Sequence, residues 1–202
     1  MRNYNKGFTL LELIISITLI GLIVVILAGA MRVSSRSIAS GEKKIEYLDR
    51  MRATINFIDS QIQSQIPLTY EEDGENKYYF KGERELLQFS TNYSIWGGEK
   101  GYVIATYWVQ TNSNGKQELY VSETIVGTNF KRETKLTEEM DTIYFEYFYT
   151  DPTEEQGTWV DNWDDETSIP EKILFHFVNN NIDSAVVIPV RVIYSTEKGI
   201  VE

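Results

Sequence analysis

The sequence predicts an α+β architecture: a long N-terminal helix, half apolar and half amphipathic, packed on an antiparallel β-sheet head. Three observations carry this. From Leu13 to Met31 run 19 residues without a charge, and from Ile45 to Ile66 apolar residues recur at helical spacing. Beyond Pro67, short runs of aromatic and β-branched residues alternate with turn formers.

The first element follows from length. Extended back to Phe8, the apolar run covers 24 residues with one charge, Glu12. A bilayer needs roughly 20 apolar residues at about 1.5 Å each. A secretory leader has a shorter apolar region ending in a small-residue cleavage site, and Ala28-Gly29-Ala30 is only the nearest candidate for one. Residues 8–31 therefore read as a membrane-spanning half-helix. Gly21 and Gly29 weaken it locally, since glycine costs about 1 kcal/mol relative to alanine in a helix interior.

The second element, residues 32–66, continues the helix in a different chemistry. Ile45, Leu48, Met51, Ile55, Ile58, Ile62 and Ile66 draw one apolar stripe, expected to pack on the head. Glu46 and Arg50 form an i, i+4 pair on the polar side, and Pro67 stops the run.

Residues 67–202 read as a β-rich head. Strands are expected at Leu86–Thr91, Tyr102–Thr111, Lys116–Thr124, Thr142–Tyr149, Lys172–Val178 and Ala185–Tyr194. Asn112-Ser113-Asn114-Gly115 and Asn179-Asn180-Asn181 suit hairpin turns, and Pro189 marks the last run as an edge or a bulge. Glu71-Glu72-Asp73 reads as an acidic turn, and Trp159 and Trp163 as core residues.

Composition narrows the function. The 202 residues, 42% hydrophobic, suffice for one main core. With no cysteine there is no disulfide framework and no thiol chemistry. The net charge of −11 is uneven: residues 67–202 carry 11 basic and 25 acidic side chains, which leaves −14 there. Such a surface repels polyanions, so no nucleic-acid contact is expected for the head. The single histidine, His176, lies in an alternating strand, and no nucleophile motif or phosphate loop accompanies it. Asp161, Asp164, Asp165 and Glu166 offer hard oxygen ligands of the kind calcium takes but lack the spacing of a known calcium loop, and read as a solvated acidic loop. No enzyme activity, metal or cofactor is expected.

The short basic segment Arg2 to Lys6 meets Gly7-Phe8-Thr9-Leu10-Leu11-Glu12 at the head of the apolar run. Here the sequence resembles the type IV prepilins and type II secretion pseudopilins. The resemblance implies a pilin-like fold, and cleavage after Gly7 by a prepilin peptidase that removes residues 1–7 and methylates the new N-terminal Phe8. It also implies assembly through Glu12, whose carboxylate would meet the Phe8 amine of a neighbouring subunit. A carboxylate inside a membrane helix costs on the order of 2.5–3.5 kcal/mol on insertion scales, so it calls for a partner. Where many major pilins have a helix-breaking proline, this chain has Gly29.

A second resemblance, to the J-type minor pseudopilins, rests on Ile143 to Tyr149, Asp151, Gly157, Trp159, Trp163 and Ile169-Pro170 leading into Ile173-Leu174-Phe175. It extends to the helix end, Arg52 to Pro67. The two resemblances together cover residues 7–66 and 136–178. They imply a minor pilin or pseudopilin that initiates or tips a fibre, with other minor and major pilins, the prepilin peptidase and membrane lipid as partners. The alternative is a single-pass anchored binding or sensory domain. The basic residues Arg32, Arg36, Lys43 and Lys44 after the span favour the opposite orientation on a simple count; the resemblance implies a cytoplasmic N-terminus and an exported head.

Overall fold

The computed structural model describes residues 8–97, 101–150 and 156–191. Gly7, Asp151 and the strand end expected at Tyr194 lie outside them. Among the described residues one helix, α1 (Leu10–Gln63), precedes eleven strands: β1 (Thr69–Glu72), β2 (Glu75–Tyr78), β3 (Lys81–Glu83), β4 (Leu86–Thr91), β5 (Val103–Thr111), β6 (Gln117–Ile125), β7 (Lys131–Lys135), β8 (Thr142–Tyr149), β9 (Thr158–Val160), β10 (Lys172–Asn179) and β11 (Ile182–Pro189). The α+β, pilin-like expectation holds. Two compact units divide the chain within α1, one up to Leu48 and one from Asp49 onward.

In the first unit α1 is exposed at every described position but the half-buried Tyr47, with the large apolar side chains from Phe8 to Leu27 all at least half exposed. Intrahelical hydrogen bonds satisfy its backbone. The stripe behaves differently along its length. Ile45 and Leu48 stay exposed, Met51 and Ile55 are half-buried, and Ile58 and Ile62 are fully buried. The packing face thus starts about two turns later than the apolar spacing suggests, and it is completed by polar residues, Thr54 and Gln61.

The second unit holds three antiparallel sheets, ordered β1-β2, β3-β4-β5-β6-β7 and β11-β10-β8-β9. Alternation sorts their faces. Leu87, Phe89, Ala105, Tyr107, Leu119 and Val121 supply the buried side of the five-stranded sheet; Ile143, Phe145, Tyr147, Ile173, Phe175 and Phe177 supply that of the four-stranded one. The expected hairpin turns form: Asn112 Oδ1 accepts from the Asn114 and Lys116 amides, and Asn180 and Asn181 both take left-handed φ, 51° and 62°, as a two-residue β10–β11 turn requires. Pro189 closes β11, an edge strand, as expected.

Four expectations are corrected. The first acidic hairpin turns at Asp73-Gly74, leaving Glu71 and Glu72 in β1. The last strand is Ile182–Pro189 because the tight turn ends at Asn181. The short strands β1, β2, β3, β7 and β9 have no apolar alternation to announce them; β7 is exposed at all five positions. Trp159 and Trp163 are half-buried, packed edge-on against Phe148 and Tyr149 instead of entering the core.

The last turns of α1 are tied to the five-stranded sheet by buried polar contacts. Gln61 Oε1 accepts from Tyr107 Oη at 2.5 Å, and Gln61 Nε2 donates to Glu123 at 2.5 Å and to the Tyr93 carbonyl. Burial pushes the Tyr107 hydroxyl well above its usual pKa, which keeps it a donor. Glu123 also accepts from Ser94 Oγ and the Ile95 amide.

The two larger sheets meet at Gly82. Its carbonyl accepts from the Trp163 amide at 2.8 Å in a single bridge, and Tyr147 Oη donates to the Glu83 and Leu86 carbonyls on either side of the β3–β4 turn. A Cβ at Gly82 would stand 2.7 Å from Tyr147 Cζ and 3.0 Å from Trp163 Cβ. Gly82→Ala is therefore expected to cost about 1–3 kcal/mol through overpacking, read as a lower urea midpoint for the full chain in detergent. An unchanged midpoint would mean the sheets separate freely at this point.

Candidate functional site

Thr9 and Glu12 begin α1 with the pattern of a capping box, a hydroxyl residue followed three positions later by glutamate. The structure closes it: the Glu12 amide donates to Thr9 Oγ1 at 3.3 Å and the Thr9 amide donates to Glu12 Oε2 at 3.5 Å. Two amides that the helix geometry leaves without intrahelical partners are thus satisfied, and the carboxylate sits at the positive end of the helix dipole. Thr9 was not among the residues singled out by sequence, although Thr9-Leu10-Leu11-Glu12 contained the signal.

Phe8 lies one residue before the cap and is 76% exposed. Of the three residues expected to form the site, Phe8 and Glu12 are brought to one helix start, and Gly7 lies outside the described residues. Further along, Ser16 Oγ and Thr18 Oγ1 each donate at 2.7 Å to the carbonyl four residues back, Glu12 and Ile14. The polar side chains of the apolar half are satisfied within the helix, so they add no unmet demand in an apolar medium. Glu12 is the one charge in this half. Among the described residues α1 is the one helix long and apolar enough to cross a membrane.

The other candidates in the head have local partners. His176, 8% exposed, places Nδ1 2.8 Å from Asp183 Oδ2 and Nε2 2.8 Å from Glu146 Oε2, and stacks on Tyr144 at 4.1 Å. Both ring nitrogens are engaged by carboxylates on neighbouring strands, which ties edge strand β11 to β8. In the acidic loop, Asp161 pairs with Arg84 at 2.5 Å and Glu166 with Lys77 at 2.6 Å. Hydrogen bonds that the Lys77 ammonium donates to Glu166 and Glu72 hold it well above its ordinary pKa. Asp165 accepts from Ser168 and Thr167, in that order of effect, which lowers its pKa. The carboxylates diverge to separate partners, and no group of three metal-ligand side chains forms among the described residues.

The strongest arrangement is therefore the capped start of an exposed apolar helix. No curated protein matches the chain. Residues 2–28, which include Gly7, Phe8, Thr9 and Glu12, match the family model of the prokaryotic N-terminal methylation motif, and this supports a place for the chain in the type IV pilin and pseudopilin family.

Proposed function

We propose that this chain is a minor pilin or pseudopilin, a structural subunit that helps initiate or tip a type IV pilus or type II secretion pseudopilus. The observation that carries the reading is the methylation motif at residues 2–28 continuing into a helix whose exposed apolar half has one charge, Glu12, in its first turn. The motif implies processing by a prepilin peptidase and assembly with other pilins, a structural role and not a catalytic one. In this reading residues 1–7 are the leader, 8–31 the membrane half, 32–66 the stalk and 67–202 the exported head, anchored by a single pass with the N-terminus cytoplasmic. Cleavage after Gly7 frees the Phe8 amine, which is then methylated. The J-type assignment draws support from β8, β9 and the buried Ile169-Pro170 step into β10, where the aromatic strand and Trp159 lie side by side at one edge of a sheet.

One observation favours a second reading, a membrane-anchored binding or sensory domain. The capping box gives Glu12 a use inside its own helix, without any partner subunit.

Processing is tested first. Gly7→Arg places a bulky cation at the residue preceding the cut, so the precursor is expected to persist in the membrane with residues 1–7 attached. Mass spectrometry of its N-terminus decides the matter; a mature, N-methylated Phe8 in that variant would remove the prepilin assignment.

Glu12 separates the two readings through a pair of variants. Glu12→Gln keeps a side chain that can close a capping box but carries no charge, whereas Glu12→Leu loses both. A fibre subunit requires both variants to be cleaved and inserted normally yet recovered poorly, about tenfold less or lower, in sheared fibres or crosslinks to partner pilins. If Glu12→Gln assembles like wild type, the carboxylate serves only as a cap and the register role is lost.

A further inference from the structure

The apolar half of α1 ends in a change of chemistry. Met31 is followed by Arg32-Val33-Ser34-Ser35-Arg36-Ser37. Arg32 and Arg36 are four residues apart, so about 40° separates them around the helix and about 6 Å along it. Both are exposed, and neither has an ion-pair or hydrogen-bond partner among the described residues. Between Glu12 and Glu42 the chain contains no acid at all. A like-charge i, i+4 pair is destabilising by a few tenths of a kcal/mol unless an anion shares it.

Position identifies the anion. The 19 uncharged residues Leu13–Met31 rise about 28 Å, close to the roughly 30 Å of a hydrocarbon core. Arg32 therefore emerges at the hydrocarbon boundary, and Arg36 lies about 7.5 Å past Met31, at the outer edge of a headgroup layer of roughly 5–7.5 Å on each side, where its long side chain reaches back to phosphate. Lys43 and Lys44 lie about 18–20 Å past Met31, beyond direct headgroup reach. Guanidinium groups bind phosphate bidentately.

We infer that Arg32 and Arg36 form a two-guanidinium clamp for the phosphate of an anionic phospholipid, on whichever side of the membrane the span emerges, fixing the depth of the helix before assembly. The inference rests on the membrane reading of residues 8–31. It also accounts for two cations placed where a count of basic residues argues against the proposed orientation. The clamp occupies them with lipid.

The chain has no cysteine, so a single one labels cleanly. Full-length Ser35→Cys carrying a fluorophore, reconstituted in phosphatidylcholine vesicles, is titrated with brominated phosphatidylglycerol or brominated phosphatidylcholine. A second label at Ser16→Cys reports insertion. The clamp requires quenching at position 35 to be at least about twofold stronger with the anionic lipid. The preference should vanish in Arg32→Gln/Arg36→Gln and survive in Lys43→Gln/Lys44→Gln. Equal quenching by the two lipids, or a preference lost equally with the two lysines, overturns the clamp while position 16 still reports insertion. If position 16 is unquenched by either lipid, the membrane reading itself fails and takes the clamp with it.

Discussion

The constraint on which the rest of the molecule depends is the apolar surface of the first half of α1. Side chains from Phe8 to Met31 are exposed, and at roughly 25 cal/mol per Å² their hydration carries a large free-energy cost in water. A helix already satisfies its own backbone, so this segment needs only an apolar surround, either lipid or other apolar helices. Ser16 and Thr18 follow the same rule by bonding back to their own helix. Whatever the chain does, it does from a state in which that surface is covered by something else.

The head solves the opposite problem, fixing the last turns of α1 to a β domain without a continuous apolar stripe. Ile58 and Ile62 supply the apolar contact, and the Gln61–Tyr107–Glu123 contacts supply direction, because an unpaired buried amide or carboxylate costs about 1–3 kcal/mol or more. Hydrophobic burial alone tolerates sliding; a buried amide with two named partners does not. The same logic recurs at the junction of the sheets, where Tyr147 Oη is held by carbonyls on both sides of one turn and Gly82 lets its ring approach.

What was legible in the sequence divides along physical lines. The helix, the six long strands and the Asn-rich turns were readable because burial imposes periodicity, and Asn180-Asn181 because few other residues accept left-handed φ in sequence. β7 was unreadable since an exposed edge needs no apolar alternation and here has charged residues at four of its five positions, the composition that protects an edge. The tryptophans misled because size suggests burial, whereas both lie against aromatic rings at a sheet margin. At the helix start, Phe8 and Glu12 stood out as the unusual residues, but Thr9 did not. A threonine beside an apolar run is common, and its meaning comes only from the glutamate three positions on.

That cap bears on how Glu12 can serve two ends. Its bond to the Thr9 amide is long, 3.5 Å, and exposed, and capping contributes about 0.5–2 kcal/mol at most. An ion pair at 4 Å gains about 1 kcal/mol in water but about 4 kcal/mol at the effective dielectric typical of protein surroundings. Beside wet headgroups, then, the two interactions are comparable and the carboxylate remains with its own helix. In the proposed assembly, among dry apolar helices, the amine of a neighbour would outcompete the Thr9 amide. In the proposed assembly, covering the apolar surface and engaging the charge would be one event: the surround that satisfies the side chains from Phe8 to Met31 is also the one in which an intermolecular pair at Glu12 would be worth exchanging for the cap.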